Sequence, residues 1–454
     1  MSAVAPARRA AYTVLRAVTS GRSDLPDALA RARELLTDER DQALTAVIAA
    51  GTLRWQGALD AVIEAFGRRA ASRLDPEVLD ILRLSAYQLL HLDRVPAMAV
   101  VNDAVELARE QKNSSASTFV NALLRRIDRE RARLPLPPRP ERGDPGGALE
   151  YLSVTLSHPR WLVERWLLRV GFEAAEGWAR FNNAAAPLTL RANTLVTTRE
   201  AIVDRLAAHG VAVSPTRFAS AGLLVQAGNP LKTPLVDEGA FFVQDEASQL
   251  VAIVARARPG ERVLDACASP GGKTVAIAAD MGNQGVVVAG DVRGRRVELL
   301  KETVARSGAT SVRVARLDAA ALPFGPVFDL VLLDAPCSGL GTIRRDPEIR
   351  WRRTAADLPS LVGAQRRMLD GAAGVVRPGG RVVYATCSSE PEENEDLVAA
   401  FLADHPAFEV EAPELSVALG AGAAPLITDA GFLRTWPHAH GLEAFFAAVL
   451  RRRA

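Results

Sequence analysis

Between Gly260 and the C-terminus, short β-branched runs alternate with helical segments, and this pattern constrains the fold more than any other feature. The runs are Arg262-Val-Leu-Asp265, Gly285-Val-Val-Val-Ala-Gly-Asp291, Val312-Arg-Val-Ala-Arg-Leu-Asp318, Phe328-Asp-Leu-Val-Leu-Leu-Asp334 and Arg381-Val-Val-Tyr-Ala-Thr386. Helix-length stretches separate most of them, as parallel strands require, because each return to the same sheet edge needs a crossover. The expectation is an α/β, doubly wound, Rossmann-like parallel sheet. Four of the five runs end in Asp. Ligands bind at the carboxyl ends of such strands, so four acids should gather at one rim.

The 454 residues exceed what one core holds, so the chain is read as multidomain. Residues 1–133 read as an all-α helical bundle. Val78, Leu79, Ile81, Leu82, Leu84, Tyr87, Leu89 and Leu90 form an apolar stripe behind the helix start Asp75-Pro76-Glu77. Residues 134–148 are a Pro/Gly-rich linker, Leu134-Pro-Leu-Pro-Pro-Arg-Pro-Glu-Arg-Gly-Asp-Pro-Gly-Gly147, too dense in proline for regular structure and the clearest boundary in the sequence. Residues 149–250 read as a small α/β domain, with strands at Leu188–Asn193 and Gly222–Gln226 and a helix from Thr198 to His209. Residues 251–454 hold the alternating pattern.

A formal net charge of +2 is too small to announce a nucleic-acid partner. No apolar run approaches the ~20 residues that span a bilayer. No secretory signal is visible at the N-terminus, and three cysteines make no disulfide framework. A cytoplasmic, monomeric protein without membrane contact is expected.

The first run leads into Asp265-Ala-Cys-Ala-Ser-Pro-Gly-Gly-Lys-Thr274 and then a helix. Gly271 and Gly272 let a ligand approach the backbone, and a helix N-terminus favours an anion. A triphosphate-cradling loop would need glycine where Cys267 stands. The spaced acids Asp265, Asp291 and Asp318 suit a nucleoside instead. Cys337, in Asp334-Ala-Pro-Cys-Ser-Gly339, and Cys387, in Ala385-Thr-Cys-Ser-Ser-Glu-Pro-Glu-Glu-Asn-Glu395, both follow a strand and should share that rim. A lone cysteine is more often a small buried hydrophobe. Two behind strands that face a cofactor turn suggest a thiolate attacking an electron-poor ring carbon. The acids after Cys387 also read simply as a helix N-terminus complementing the dipole.

These three motifs, in this order, resemble those of the S-adenosylmethionine-dependent RNA cytosine carbon-5 methyltransferases, and Gly239-Ala-Phe-Phe-Val-Gln-Asp-Glu-Ala-Ser248 is similar to that family's lead-in. The N-terminal segments Ile81-Leu-Arg-Leu-Ser-Ala-Tyr-Gln-Leu-Leu90, Arg94-Val-Pro96, Val101–Ala108 and Phe119-Val-Asn-Ala-Leu-Leu-Arg125 resemble the NusB-type RNA-binding helical domain. A NusB-like domain ahead of this catalytic domain is the arrangement of bacterial 16S rRNA methyltransferases. The resemblance implies that Cys387 is the nucleophile adding to carbon-6 of cytosine. It also implies that Cys337 serves proton removal and product release, and that Asp334 orients the base. Without it the two cysteines could not be ordered. For the cofactor S-adenosylmethionine it implies Cys267, Ala268, Ser269, Pro270, Gly271, Gly272 and Lys273 at the methionine end, Asp291 at the ribose, Asp318 at the adenine side, and Asp334 closing the pocket. Lys273 is left between meeting the cofactor carboxylate and orienting substrate.

The expected partner is 16S rRNA, naked or in an early assembly particle, with the small α/β domain aiding RNA binding. Arg344 and Arg345, just past the second motif, are candidate phosphate contacts, and Arg125–Arg133 is either a second contact or a solvated helix end. His438 and His440 alternate on a strand-like stretch without a third ligand, so no metal is expected. The alternatives are a tRNA cytosine-C5 methyltransferase and a non-catalytic NusB-like RNA-binding or antitermination factor.

Overall fold

A computed structural model describes residues 4–111, 114–411 and 425–454. The chain divides into two compact units, one formed by Met1–Ala185 with Ile343–Ala355, the other by Ala186–Thr342 with Ala356–Ala454. No described helix is long and apolar enough to cross a membrane.

The first unit opens with helices α1 (Pro6–Thr19), α2 (Leu25–Leu35), α3 (Glu39–Arg54), α4 (Gln56–Gly67), α5 (Pro76–His91), α6 (Ala97–Glu110) and α7 (Ser114–Glu130). Helix α5 is its axis. The apolar stripe from Val78 to Leu89 is buried, and so are Asp80, Ser85 and Gln88 between its members. A helix covered on all sides must pair its buried charges. Asp80 accordingly meets Arg16 at 2.7 Å and Arg83 at 3.3 Å. Arg8 donates to Asp103 at 2.6 Å and to Gln88 at 2.8 Å.

The proline-rich stretch is irregular up to Asp144, which caps α8 (Pro145–Glu150) by accepting from Gly147 N at 2.9 Å. It does not separate the units. The chain beyond it, including α9 (Arg160–Asn183), packs back on the helices: Gly57 N donates to Ser157 Oγ at 2.9 Å. Proline density reports only a local loss of regular backbone hydrogen bonding, whereas the boundary is set by where the following helices bury their apolar faces, and Trp166 stacked on Trp178 at 4.5 Å buries within this unit.

Residues 343–355 complete the helical unit. Arg350 is fully buried, and its guanidinium donates to Ser157 O and Asn183 Oδ1, both at 2.9 Å, to Arg54 O at 3.2 Å and to Asn182 O at 3.3 Å. Trp351 Nε1 donates to Leu53 O at 2.6 Å, and Glu348 accepts from Leu25 N at 2.9 Å.

The second unit holds two sheets. The smaller is antiparallel, in the order β2 (Ala212–Pro215), β3 (Gly222–Ala227), β1 (Thr189–Ala192), β4 (Phe241–Val243), with α10 (Arg199–Ala208) between β1 and β2 in the chain. In the larger sheet β5 (Arg262–Asp265), β6 (Val286–Asp291), β7 (Val312–Arg316), β8 (Phe328–Asp334) and β9 (Val376–Thr386) run parallel in the spatial order β9-β8-β5-β6-β7. Their helices include α11 (Glu246–Ala255), α12 (Gly272–Asp280), α13 (Gly294–Ser307) and α15 (Leu358–Val375), and α16 (Glu395–Asp404) follows β9; α14 (Ile349–Arg352) lies in the returning segment of the first unit.

The all-parallel expectation holds for these five strands and fails at one edge. There β12 (Phe446–Arg452) lies antiparallel to β9, and β10 (Phe408–Val410) and β11 (Leu433–Arg434) pair antiparallel with β12. A strand that arrives from the opposite end of the sheet needs no crossover and gives no alternation signal.

Candidate active site

The register sets the carboxyl ends of the parallel strands along one rim. Asp265 pairs with Leu332, Asp334 with Ala385, and Asp291 with Arg316. Strand β7 stops at Arg316, so Asp318 stands two residues past it and is exposed, whereas Asp265 and Asp291 are buried.

The turn after β5 is pinned to its neighbours by Ala266 N to Leu332 O at 2.9 Å and Ala268 N to Gly290 O at 2.8 Å. The Ser269–Pro270 peptide is cis, and Gly271 adopts φ +110° before α12 begins at Gly272. A Cβ at Gly271 would meet Leu300 Cδ1 at 2.9 Å and Thr303 Cγ2 at 3.0 Å, so both sterics and backbone conformation require glycine. Thr274 Oγ1 donates to Asp265 Oδ2 at 2.6 Å, and burial, with Asp334 nearby, lifts the Asp265 carboxyl to about 7 despite that bond. Burial also pushes the Cys267 thiol up, reinforced by the charges of Asp265, Asp334 and Asp291. Cys267 therefore has the surroundings of an unreactive, lining thiol.

The donor set fits the nucleoside of S-adenosylmethionine. Asp291 Oδ1 accepts Arg293 N at 3.0 Å and Asp318 Oδ1 accepts Ala320 N at 2.9 Å. One oxygen of each carboxyl is thus held by a backbone N–H, and Arg296 lies 3.9 Å from Asp291 Oδ2.

Cys337 and Cys387, fifty residues apart in sequence, bring their sulfurs to 3.3 Å, and both are half-buried. The hydrogen bond with Cys387, then burial, holds the Cys337 thiol well above its usual range. Lys273 Nζ donates to Asp334 Oδ2 at 2.7 Å and lies 5.9 Å from the Phe445 ring centroid. Burial works to lower the Lys273 ammonium, but Asp334, by charge and hydrogen bond, together with Cys387 and Asp265, outweighs it, and the net shift is upward. Lys273, left open by the sequence, is therefore the partner of Asp334.

Three supporting residues were missed. Glu393, read only as a helix-start acid, is fully buried and accepts from Ser338 N and Gln365 Nε2, both at 2.8 Å, and from Ser338 Oγ at 2.5 Å. Arg434 is buried with its guanidinium on Ser388 O at 3.2 Å and Ser389 O at 2.9 Å, 4.1 Å over the Trp436 ring. Gly341 donates its N–H to Cys387 O at 2.9 Å and accepts from Ala444 N at 3.0 Å. The one signal in the sequence was glutamate within Pro391-Glu-Glu-Asn-Glu395, where the acid that turns inward has no distinguishing neighbour.

Arg344 belongs to the segment completing the helical unit. Its guanidinium donates to Ala185 O at 2.7 Å and lies 4.3 Å over the Phe181 ring, so part of its donor set is engaged with protein; Arg345 is half-buried in the same segment. The expected strand at His438 and His440 is instead a helical turn, Pro437–His440, started by the proline and closed by Gly441 at φ +70°. His440 Nδ1 accepts from Trp436 N at 2.9 Å.

Comparison with known proteins agrees with this architecture. Residues 252–451 match the family model for the 16S rRNA methyltransferase RsmB/F, residues 5–129 the NusB family, and residues 158–232 the ferredoxin-like domain of RsmF/B-like methyltransferases. The last match runs from α9 into the antiparallel sheet. A probable ribosomal RNA small subunit methyltransferase B of Bacillus subtilis is 36% identical over 423 residues, 92% of each chain. Ribosomal RNA small subunit methyltransferase B of Pseudomonas putida is 36% identical over 418 residues, 91% of this chain and 92% of its own. The crystal structure of PH0851 superposes with a TM-score of 0.81 at 29% identity, covering 99% of this chain and all of that one. With an N-terminal helical unit, a small antiparallel sheet and a strand-end rim carrying acids and two adjacent thiols, the chain belongs to the RsmB/F family of 16S rRNA methyltransferases.

Proposed function

We propose that this member of the family methylates carbon-5 of a cytosine in small-subunit rRNA, with S-adenosylmethionine as donor, through a transient bond between Cys387 and the base. The observation that carries the reading is the pair of sulfurs 3.3 Å apart beside the Lys273–Asp334 pair. A cytosine ring does not react at carbon-5 until a nucleophile has added at carbon-6. The hydrogen bond with its neighbour, and burial, hold Cys337 as a thiol, which leaves Cys387 as the sulfur better suited to add to carbon-6.

As the sulfur–carbon-6 bond forms, the ring electrons move toward nitrogen 3. Asp334 is the group assigned here to orient that nitrogen, and the Lys273 ammonium on its Oδ2 offsets the charge that gathers there. The bound donor supplies the electrophilic methyl group that carbon-5 takes up. Once Cys387 is bonded to carbon-6 it no longer holds the Cys337 proton in place; Cys337, having released that proton to solvent, removes the carbon-5 proton, and the electron pair of that bond expels Cys387 and restores the ring. Asp291 and Asp318 would hold ribose and adenine, and the turn from Cys267 to Gly272 the methionine end. The target base must leave any stack to reach half-buried sulfurs, which favours a loop or a flipped nucleotide.

The test is transfer of labelled methyl from S-adenosylmethionine to 16S rRNA and, separately, to tRNA, both isolated from cells lacking this protein, with bisulfite sequencing to locate the product. Label at one cytosine carbon-5 is expected. Label on tRNA alone would change the substrate, and RNA binding without transfer would leave a non-catalytic factor.

A further inference from the structure

The 3.3 Å approach of the two sulfurs needs an explanation, because each sits on its own turn after a different strand. From the hydrogen bonds around them we infer that Glu393 is a positioning residue that sets the spacing of Cys337 and Cys387. The inference rests on the covalent reading above and adds to it the group that makes the pair.

Glu393 ends the short turn Pro391–Glu393 ahead of α16 and is fully buried. Its Oε1 accepts the backbone N–H of Ser338 and the amide of Gln365; its Oε2 accepts the hydroxyls of Ser338, at 2.5 Å, and of Ser388. Ser338 directly follows Cys337, and Ser388 directly follows Cys387. The two hydroxyls also lie 3.1 Å from each other. One carboxyl group therefore grips the residue next to each sulfur, and Tyr384 OH, donating to Glu393 O at 2.6 Å, fixes the grip to strand β9. A carboxylate is acceptor-only, with room for about four donors, which matches the donor-rich surroundings. Alanine would remove the acceptor of Ser338 N and one of the two acceptors of Gln365 Nε2, whose other is Pro336 O at 3.0 Å. Glutamine could keep its carbonyl on those two donors and turn its amide to the hydroxyls, which rotate to accept.

The experiment measures sulfur spacing without RNA. In the full-length protein, diamide takes the two thiol hydrogens and becomes the hydrazine as a Cys337–Cys387 bond forms, and peptide mass mapping separates that bond from any at Cys267. Glu393→Ala should slow this bond at least about tenfold. It should also lower single-turnover methyl transfer by about a hundredfold, the scale expected for an ångström of misplacement. Cofactor affinity should stay within about threefold, and Glu393→Gln should recover most of both rates. Disulfide formation and transfer by Glu393→Ala within threefold of the unsubstituted protein would overturn the assignment. If Glu393→Ala does not fold, the Ser338→Ala, Ser388→Ala double variant removes both hydroxyl ties and should slow diamide coupling several-fold; an unchanged rate would overturn it equally. Failure of the covalent reading would show separately, as methyl transfer persisting in Cys387→Ala, whatever the diamide rates.

Discussion

Cys337 and Cys387 follow neighbouring parallel strands and share one hydrogen bond, and the proposed reaction gives them different work. Cys387→Ala should abolish methyl transfer while cofactor affinity stays within about threefold, because in the proposed reaction the thiol meets only the base. Cys337→Ala should instead accumulate a protein–RNA species that survives denaturant and migrates as a shifted band. Normal turnover by either variant would remove that cysteine from the reaction. Asp265 offers a test by pH. Its carboxyl titrates near 7 in the folded chain against an ordinary value of 3.8. Between about pH 4 and 7 the folded protein holds a proton that the unfolded chain has released, so stability falls as pH rises through that window. Thermal melts from pH 5 to 8 should show the unsubstituted protein losing more melting temperature than Asp265→Asn; parallel slopes would show that Asp265 is not perturbed. At this scale the three cysteines and the rim acids were legible, because each follows a recognisable strand. Glu393 and Arg434 were not, since what distinguishes a buried charge from a solvated one is its partners, which come from residues far away in sequence.

The turn after β8 has to pass through a gap with no room for a side chain. A Cβ on Gly341 would lie 1.9 Å from Ala444 O and 2.7 Å from Cys387 O, both backbone atoms that no rotamer change can move. Gly341→Ala should therefore displace the turn that bears Cys337, lowering transfer by about a hundredfold and lowering the melting temperature as well. Transfer at the usual rate, with the usual melting temperature, would show the turn to be compliant. Among the elements, the five parallel strands and the helical character of residues 1–133 were readable from period and capping residues. The antiparallel edge was not: β11 is two residues long, and β12 is apolar on both faces, which looks the same in sequence for a strand or a buried helix.

For the whole molecule, the important fact is that residues 343–355, although encoded inside the catalytic half, belong to the helical unit. A fragment comprising residues 186–454 would carry Arg350 and Trp351 without the carbonyls of Arg54, Ser157, Asn182 and Leu53 that accept from them. That fragment should melt lower and aggregate more readily than the full chain, and Arg350→Ala in the full chain should lower stability by roughly 2–4 kcal/mol through the loss of buried hydrogen bonds. A fragment as soluble and heat-resistant as the parent would count against this assignment. Nothing local in the sequence marks the segment, because membership of a unit is decided by the acceptors that the other end of the chain provides.

The same return of the chain bears on how the protein is born. A ribosome making it releases Met1–Ala185 long before Ile343–Ala355, so the earliest-made unit must wait, with an open seat for Arg350, until most of the polypeptide has emerged. Arrest-peptide force profiles on stalled nascent chains should register its closure only after residue 355 has cleared the exit tunnel.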